Sequence, residues 1–306
     1  MNSSLMRIIK SRLGGEAAKR LYKTAIYYSR HRDRLSLSCF AVSLKAYFRG
    51  MSHLGLYDFF NIVEPAPLLR ECGWVKVGNF RFVYVPRDLG IFALEVDDIL
   101  AEFVLSRDLE EYYEVLDTEG PYEEGEVSLR EGDIVIDAGA NMGIFSVLAA
   151  VKKAERIYAF EPLKEICEIC KRNAELNHCA DRVVAVPKAL GDAVCEKTFF
   201  VPKGNIGGSS FVFARGQKKT HIECTTLDDW VKENNISRVD FIKADIEGAE
   251  RYLLAGAQET LRRFKPRLAI CTYHLPDDPK VLEGLIKRAN PAYKIIQGRK
   301  KLYAWE

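Results

Sequence analysis

The chain has 306 residues, of which 48% are hydrophobic and 29% charged, with 21 Gly and 11 Pro. That length suits one large domain or two modest ones with a sizeable core, and the composition excludes disordered, collagen-like and disulfide-scaffold classes. The formal charge of +2 conceals an asymmetry: residues 1–50 carry 11 Lys+Arg against 2 Asp+Glu, a net of +9, so the remainder is net −7.

In chain order, residues 4–30 place Leu5, Ile9, Leu13, Ala17, Leu21 and Ala25 four apart, with Arg12, Lys19, Arg20 and Lys23 off that line. The spacing predicts an amphipathic helix, interrupted near Gly14 and Gly15. Its stripe either packs on the body or lies on an anionic surface, so peripheral membrane contact through residues 1–30 is one expectation. No run reaches the roughly 18 to 20 apolar residues of a membrane-spanning helix. Arg7, Lys10 and Arg12 interrupt the stretch where a secretory leader would carry its apolar core, so a cytoplasmic protein is expected. The eight cysteines are scattered through helix-like and strand-like segments and read as free thiols. Residues 1–70 are expected to form a basic, mainly helical region. Residues 71–128 read as a small β-hairpin plus a helical cap: Trp74 to Val85 alternates around Gly78-Asn79, and an acidic helix-like stretch follows to Leu116.

Residues 129–306 follow a different grammar, short apolar runs alternating with helical segments. Strands are expected at 134–137, 157–161, 183–187, 239–245 and 267–273. Helices are expected at 143–151, 163–177, 226–233, 250–263 and 278–290. Two terminal runs, 293–296 and 302–305, pair as an antiparallel hairpin. Residues 198–201 and 209–213 read as an inserted hairpin about Asn205-Ile-Gly207-Gly208. The outcome is an α/β fold, a mostly parallel doubly wound sheet whose ligand sits beyond the carboxyl ends of its central strands.

The first strand ends in Asp137-Ala-Gly139-Ala140-Asn141-Met-Gly143. The glycines are expected to let the backbone approach a ligand and the helix start pack tightly on the strand. A dinucleotide fingerprint carries Gly where this chain has Asp137, and a carboxylate there would repel a pyrophosphate. It suits S-adenosylmethionine, which carries an ammonium and a sulfonium and no phosphate. Asp137, Gly139, Ala140, Asn141 and Gly143 are therefore candidates for the methionine side of that cofactor. The second strand ends in Glu161-Pro162, an acid placed to accept from both ribose hydroxyls, and the third leads into Ala189-Leu190-Gly191, whose backbone would meet adenine. The fourth delivers Asp245-Ile-Glu247-Gly-Ala-Glu250 and the fifth Tyr273-His274. Asp245, Glu247 and His274 are the candidate catalytic groups, able to hold a substrate hydroxyl or take its proton. The carboxylate pair is compatible with a divalent cation, but no ligand spacing indicates one. Cys167-Glu-Ile-Cys170 lies inside a helix without a second pair.

Taken together, these motifs resemble the FkbM-type methyltransferases. Asn173 with Asn177, Gly207-Gly208-Ser209-Ser210, Leu254 with Gly256-Ala257, and Ala269 to His274 extend the match, which runs from Gly132 to about Asn290. The resemblance implies a Rossmann-like class I methyltransferase fold and S-adenosylmethionine as cofactor. It also implies O-methylation of a hydroxyl on a sugar, glycan, glycolipid or other small-molecule acceptor, with the Gly207 to Ser210 loop flanking the site. Many relatives carry a plain acid where this chain has Tyr273-His274. A nucleic-acid substrate is disfavoured by the acidic body and by Asp-Ile-Glu-Gly in place of an Asn-Pro-Pro-aromatic motif. The alternative from another class is a non-catalytic protein of this fold that docks on an anionic surface through its basic N-terminus.

Overall fold

The computed structural model describes residues 122–202, 208–214 and 218–306, together with the backbone of three short strands upstream. Those strands are β1 (Val63–Glu64), β2 (Trp74–Val77) and β3 (Phe80–Val83), an antiparallel sheet in the order β1-β2-β3. Trp74 pairs with Val83 and Val77 with Phe80, the expected hairpin. The amphipathic segment 4–30 and the acidic stretch 97–116 lie outside the described residues.

The larger unit is built on strands β4 (Ile134–Ala138), β5 (Arg156–Phe160), β6 (Val183–Val186), β10 (Phe241–Ala244), β11 (Arg267–Cys271), β12 (Lys294–Gln297) and β13 (Lys301–Trp305). They form one seven-stranded sheet in the order β12-β13-β11-β10-β4-β5-β6. The pairs β11–β10, β10–β4, β4–β5 and β5–β6 are parallel, while β13 runs antiparallel to both neighbours. The expected α/β class and terminal hairpin both hold. All four residues of β10 and all five of β11 are buried, as befits central parallel strands covered on both faces.

Crossovers are supplied by α1 (Ile144–Val151), α2 (Lys164–Leu176), α3 (Leu227–Glu233), α4 (Glu250–Ala255), α5 (Gln258–Phe264) and α6 (Asp278–Ala289). Ile136, Phe160, Ile242, Leu268 and Ile270 of the sheet share a core with Trp230, Leu253, Leu261 and Leu282. Each such side chain contributes on the order of 1.5 to 3 kcal/mol by leaving water. The single helix expected over 250–263 is two: the chain breaks at Gly256-Ala257, between α4 and α5, where Gly256 lies against the Gly191 carbonyl too closely for any side chain.

The inserted hairpin also differs from expectation. β8 (Cys195–Val201) pairs along its whole length with β9 (Lys218–Thr225), antiparallel, and β7 (Ala189–Leu190) joins β9 in parallel. Residue 210 contributes only an isolated bridge to Phe200. The polar, half-exposed pattern of β9 hides a strand whose hydrogen bonds are satisfied by β8 rather than by a buried face.

Candidate active site

The carboxyl ends of β5, β4, β10 and β11 are neighbours in the sheet, and each candidate residue lies at or just beyond one of them. After β4 the chain turns sharply: Gly139 and Ala140 both donate their backbone N–H to the Phe160 carbonyl at 3.0 Å, which ties the turn to the tip of β5. Gly139 has φ +74°, and a methyl there would overlap the carbonyl oxygen of Asp245. Its smallness thus serves the approach of the turn to β10, where the sequence suggested approach to a ligand. Gly143, φ +79°, is likewise pressed against Cys170 of α2 rather than against the strand. From α2, the buried Asn173 donates its amide to the Met142 carbonyl at 2.8 Å and holds the turn from behind.

Asp137 is fully buried. Ser146 Oγ donates to its Oδ2 at 2.6 Å, and Lys243 Nζ stands 3.1 Å from its Oδ1. Lys243 sits directly opposite Asp137 in the β10–β4 register. Its ammonium also donates to the Gly139 carbonyl at 2.7 Å, with Tyr122's ring 5.1 Å away. Burial opposes its charge, but Asp137 and Asp245 more than offset this and hold its pKa above the ordinary value. The Asp137 charge is therefore answered inside the protein, a correction to the expectation that it faces a cationic ligand. Lys243 was missed from the sequence. A lysine within a run that must be buried on both faces is the signal that could have found it, because such a lysine needs a buried acid beside it.

Glu161 follows the end of β5. Its Oε1 accepts from Leu163 N at 2.9 Å, and its carboxylate also accepts from the backbone of Asn141. Burial pushes its pKa up to about 7, despite those two donors and the distant Lys243 charge. Asn141 has φ +48°, and its buried side-chain Oδ1 has no hydrogen-bond donor among the described residues. Pro162 is half-buried beside them, whereas the Ala189 and Leu190 side chains belong to the core and offer a ligand only backbone.

Beyond β10 and β11 lies an acidic cluster. Tyr122 donates its hydroxyl to Asp245 Oδ2 at 2.9 Å, and the half-exposed Tyr273 donates to Oδ1 at 3.2 Å. His274, with a side chain only 3% exposed, has Nε2 at 3.7 Å from both Asp245 Oδ1 and Glu247 Oε2, and Nδ1 at 3.1 Å from Glu250 Oε1. Burial opposes an imidazolium there, but the surrounding carboxylates prevail and raise the His274 pKa to about 11. Glu250 is fully buried, with Oε1 accepting from Ile246 N at 2.8 Å and its own pKa raised by burial. An acid in the first turn of a helix is a favourable helix-start charge. Glu250 serves the start of α4 in this way, and it also completes the cluster.

A segment of the glycine-serine loop is anchored here. Ser210 donates its hydroxyl to the Glu247 carbonyl at 2.7 Å and accepts from Val212 N at 2.9 Å. Glu247 takes up φ +52° and Gly248 φ +89°, with the Phe213 ring against Gly248, so the acidic loop is moulded by this contact. The structure thus brings Asp245, Glu247 and His274 together as expected, and adds Glu250, Lys243, Tyr122 and Ser210. Among the described cysteines, six are free thiols. Burial raises the Cys167 pKa to about 11 and lifts that of Cys170 well above its ordinary value, which keeps both protonated.

The description Methyltransferase FkbM domain matches residues 137–290, half of the chain, beginning at Asp137 itself. The 31-O-demethyl-FK506 methyltransferase FkbM of Streptomyces tacrolimicus is 27% identical over 162 residues, 44% of this chain and 62% of that one. The chain therefore spans less than two thirds of that relative. The hexuronic acid methyltransferase AglP of Haloferax volcanii is 22% identical over 239 residues, 77% of this chain and 93% of its own. The solved structure of Methyltransferase FkbM from Methylobacillus flagellatus KT, 21% identical, aligns with a TM-score of 0.46 over 71% of this chain and 59% of that one. With the domain match covering the turn, the Glu161 tip and the acidic cluster in order, this chain belongs to the FkbM methyltransferase family.

Proposed function

We propose that the protein transfers a methyl group from S-adenosylmethionine to a hydroxyl of a sugar-like or other small-molecule acceptor. The observation that carries this reading is the buried Glu161 carboxylate beside the Asn141 Oδ1, which has no hydrogen-bond donor among the described residues, two strands along the sheet from Asp245. A carboxylate has about four acceptor sites. Two backbone donors leave Glu161 with room for the two hydroxyls of a ribose, and Asn141 Oδ1 awaits a further donor such as an ammonium. These residues fit the cofactor on donor and acceptor chemistry.

When bound, S-adenosylmethionine supplies a methyl on a sulfonium, open to in-line attack by an acceptor oxygen. The chain's own part is to hold and to exclude. Glu161 and the Gly139 to Asn141 turn hold one reactant, and Asp245 and Glu247 stand where they can orient the acceptor hydroxyl and take up its proton, while His274, held as an imidazolium, faces both carboxylates. Tyr122 and Tyr273, both donating to Asp245, fix the direction of that carboxylate. The names of the Streptomyces and Haloferax relatives support an oxygen acceptor of this kind. Calorimetric titration tests the cofactor assignment directly. Glu161→Ala should weaken S-adenosylmethionine binding by about 10-fold or more, since each lost hydrogen bond to a charged group is worth roughly 1.5 to 3 kcal/mol. Equal affinity in the two proteins would refute the assignment.

A further inference from the structure

We propose that Asp245, Glu250 and His274 form a binding site for a divalent first-row cation. The inference rests on the proposed acceptor site only for its location; the cation binding itself is independent of methyl transfer. One ligand atom from each of the three residues lies within 4.8 Å of the other two. Ligands about 2.1 Å from a metal on adjacent corners are roughly 3 Å apart, so a modest inward rotation of the two carboxylates would close the site.

The acids alone would not carry this. What points to a cation is the imidazole between them. His274 is almost wholly buried, with carboxylates facing both ring nitrogens, yet neither nitrogen makes an aligned hydrogen bond. Glu250 Oε2, equally buried, has no hydrogen-bond donor among the described residues, because the Ile246 amide goes to Oε1. Three buried polar atoms near one another without aligned partners call for a common occupant. Two carboxylate oxygens and one imidazole nitrogen suit Mn²⁺, Fe²⁺ or Zn²⁺, and binding would replace the imidazolium proton, which is released to solvent. Glu247, 3.7 Å from Nε2, is a further oxygen donor within reach, and Tyr122 and Tyr273 orient Asp245 from outside, as outer partners do around metal ligands. A cation here would sit where the acceptor hydroxyl is to be polarised.

The 306-residue chain, stripped with a chelator, would be titrated with Mn²⁺ while the electron paramagnetic resonance signal of free Mn²⁺ is followed. The proposal expects one Mn²⁺ per chain, with affinity reduced by about 10- to 100-fold or more in Glu250→Gln and in His274→Gln. Circular dichroism would confirm that each variant is folded. Absence of stoichiometric binding to the wild-type chain at millimolar Mn²⁺ would overturn the proposal, and so would binding unchanged in both folded variants. A parallel titration with S-adenosylmethionine separates the two readings. Cofactor bound without Mn²⁺ sinks only the cation site, and Mn²⁺ bound without cofactor sinks only the methyltransferase chemistry.

Discussion

The pairing of Lys243 with Asp137 makes a quantitative demand on stability. Lys243→Met keeps most of the side-chain volume but removes the ammonium, leaving a fully buried carboxylate with only the Ser146 hydroxyl and depriving the Gly139 carbonyl of its 2.7 Å donor. Breaking a buried ion pair from one side costs about 3 to 5 kcal/mol, a large share of the roughly 5 to 15 kcal/mol that holds a typical domain together. The double variant Asp137→Asn/Lys243→Met has no buried charge at this point. It should be more stable than Lys243→Met alone by about 1 to 3 kcal/mol. Urea unfolding followed by fluorescence of the buried Trp230 would measure all members of the cycle. A cost below about 1 kcal/mol for Lys243→Met, or strict additivity in the double variant, would show that the ammonium does not carry the Asp137 charge and would refute the electrostatic account of the turn.

Two further outcomes follow from the same geometry. Glu161 has a folded pKa of about 7 against an ordinary 4.5, so the native state binds its proton more tightly than the unfolded chain does. Its contribution to stability is therefore most favourable at acid pH and declines as pH rises to about 7, by about 3 kcal/mol in all. Glu161→Gln should flatten that slope between about pH 5 and pH 8 in urea unfolding; an unchanged slope would show that Glu161 is not the buried acid responsible. Ser210→Ala loses the 2.7 Å bond to the Glu247 carbonyl and the acceptor for Val212 N, at a cost of about 1 to 2 kcal/mol. It should lower turnover while leaving S-adenosylmethionine affinity within about 2-fold, as calorimetry and a methyl-transfer assay would show, and a large loss of cofactor affinity would contradict the view that this serine acts by shaping the loop that carries Glu247.

The parallel strands were legible because their residues are buried on both faces and read as apolar runs. Their ends were overestimated by a residue or more where an acid or an aromatic follows, as at Glu161, Asp245 and Tyr273, which lie past the last ladder pair. β9 was missed because its alternation is written in Lys, Thr, His and Glu on a small sheet with little buried face. Asp245, Glu247 and His274 were found because residues at the tips of adjacent strands must be neighbours. Glu250 and Lys243 were not. A lysine in a doubly buried run signals that an acid must lie beside it, but which acid depends on the register with the neighbouring strand, which the segment itself does not carry.

The acids at the strand tips show why position alone does not assign a role. Asp137 and Glu161 end neighbouring parallel strands and looked equivalent as hosts for a cationic cofactor. Packing separates them. Lys243 projects from the next strand at the register of Asp137, so that acid becomes a brace holding the turn, and the potential it would have presented to a ligand is cancelled at 3.1 Å. Among the described residues Glu161 has two backbone amides as donors and a weaker Lys243 charge, and burial outweighs them and raises its pKa. Such a carboxylate gains from a ligand that brings donors or positive charge, because that ligand repays the desolvation already incurred. The Asp245 cluster follows the same logic, since three carboxylates around one buried imidazole are stable only with a positive charge among them. The acids that folding leaves least compensated are therefore the ones left to answer a ligand, whereas Asp137, which opens the family motif, braces the turn through Lys243.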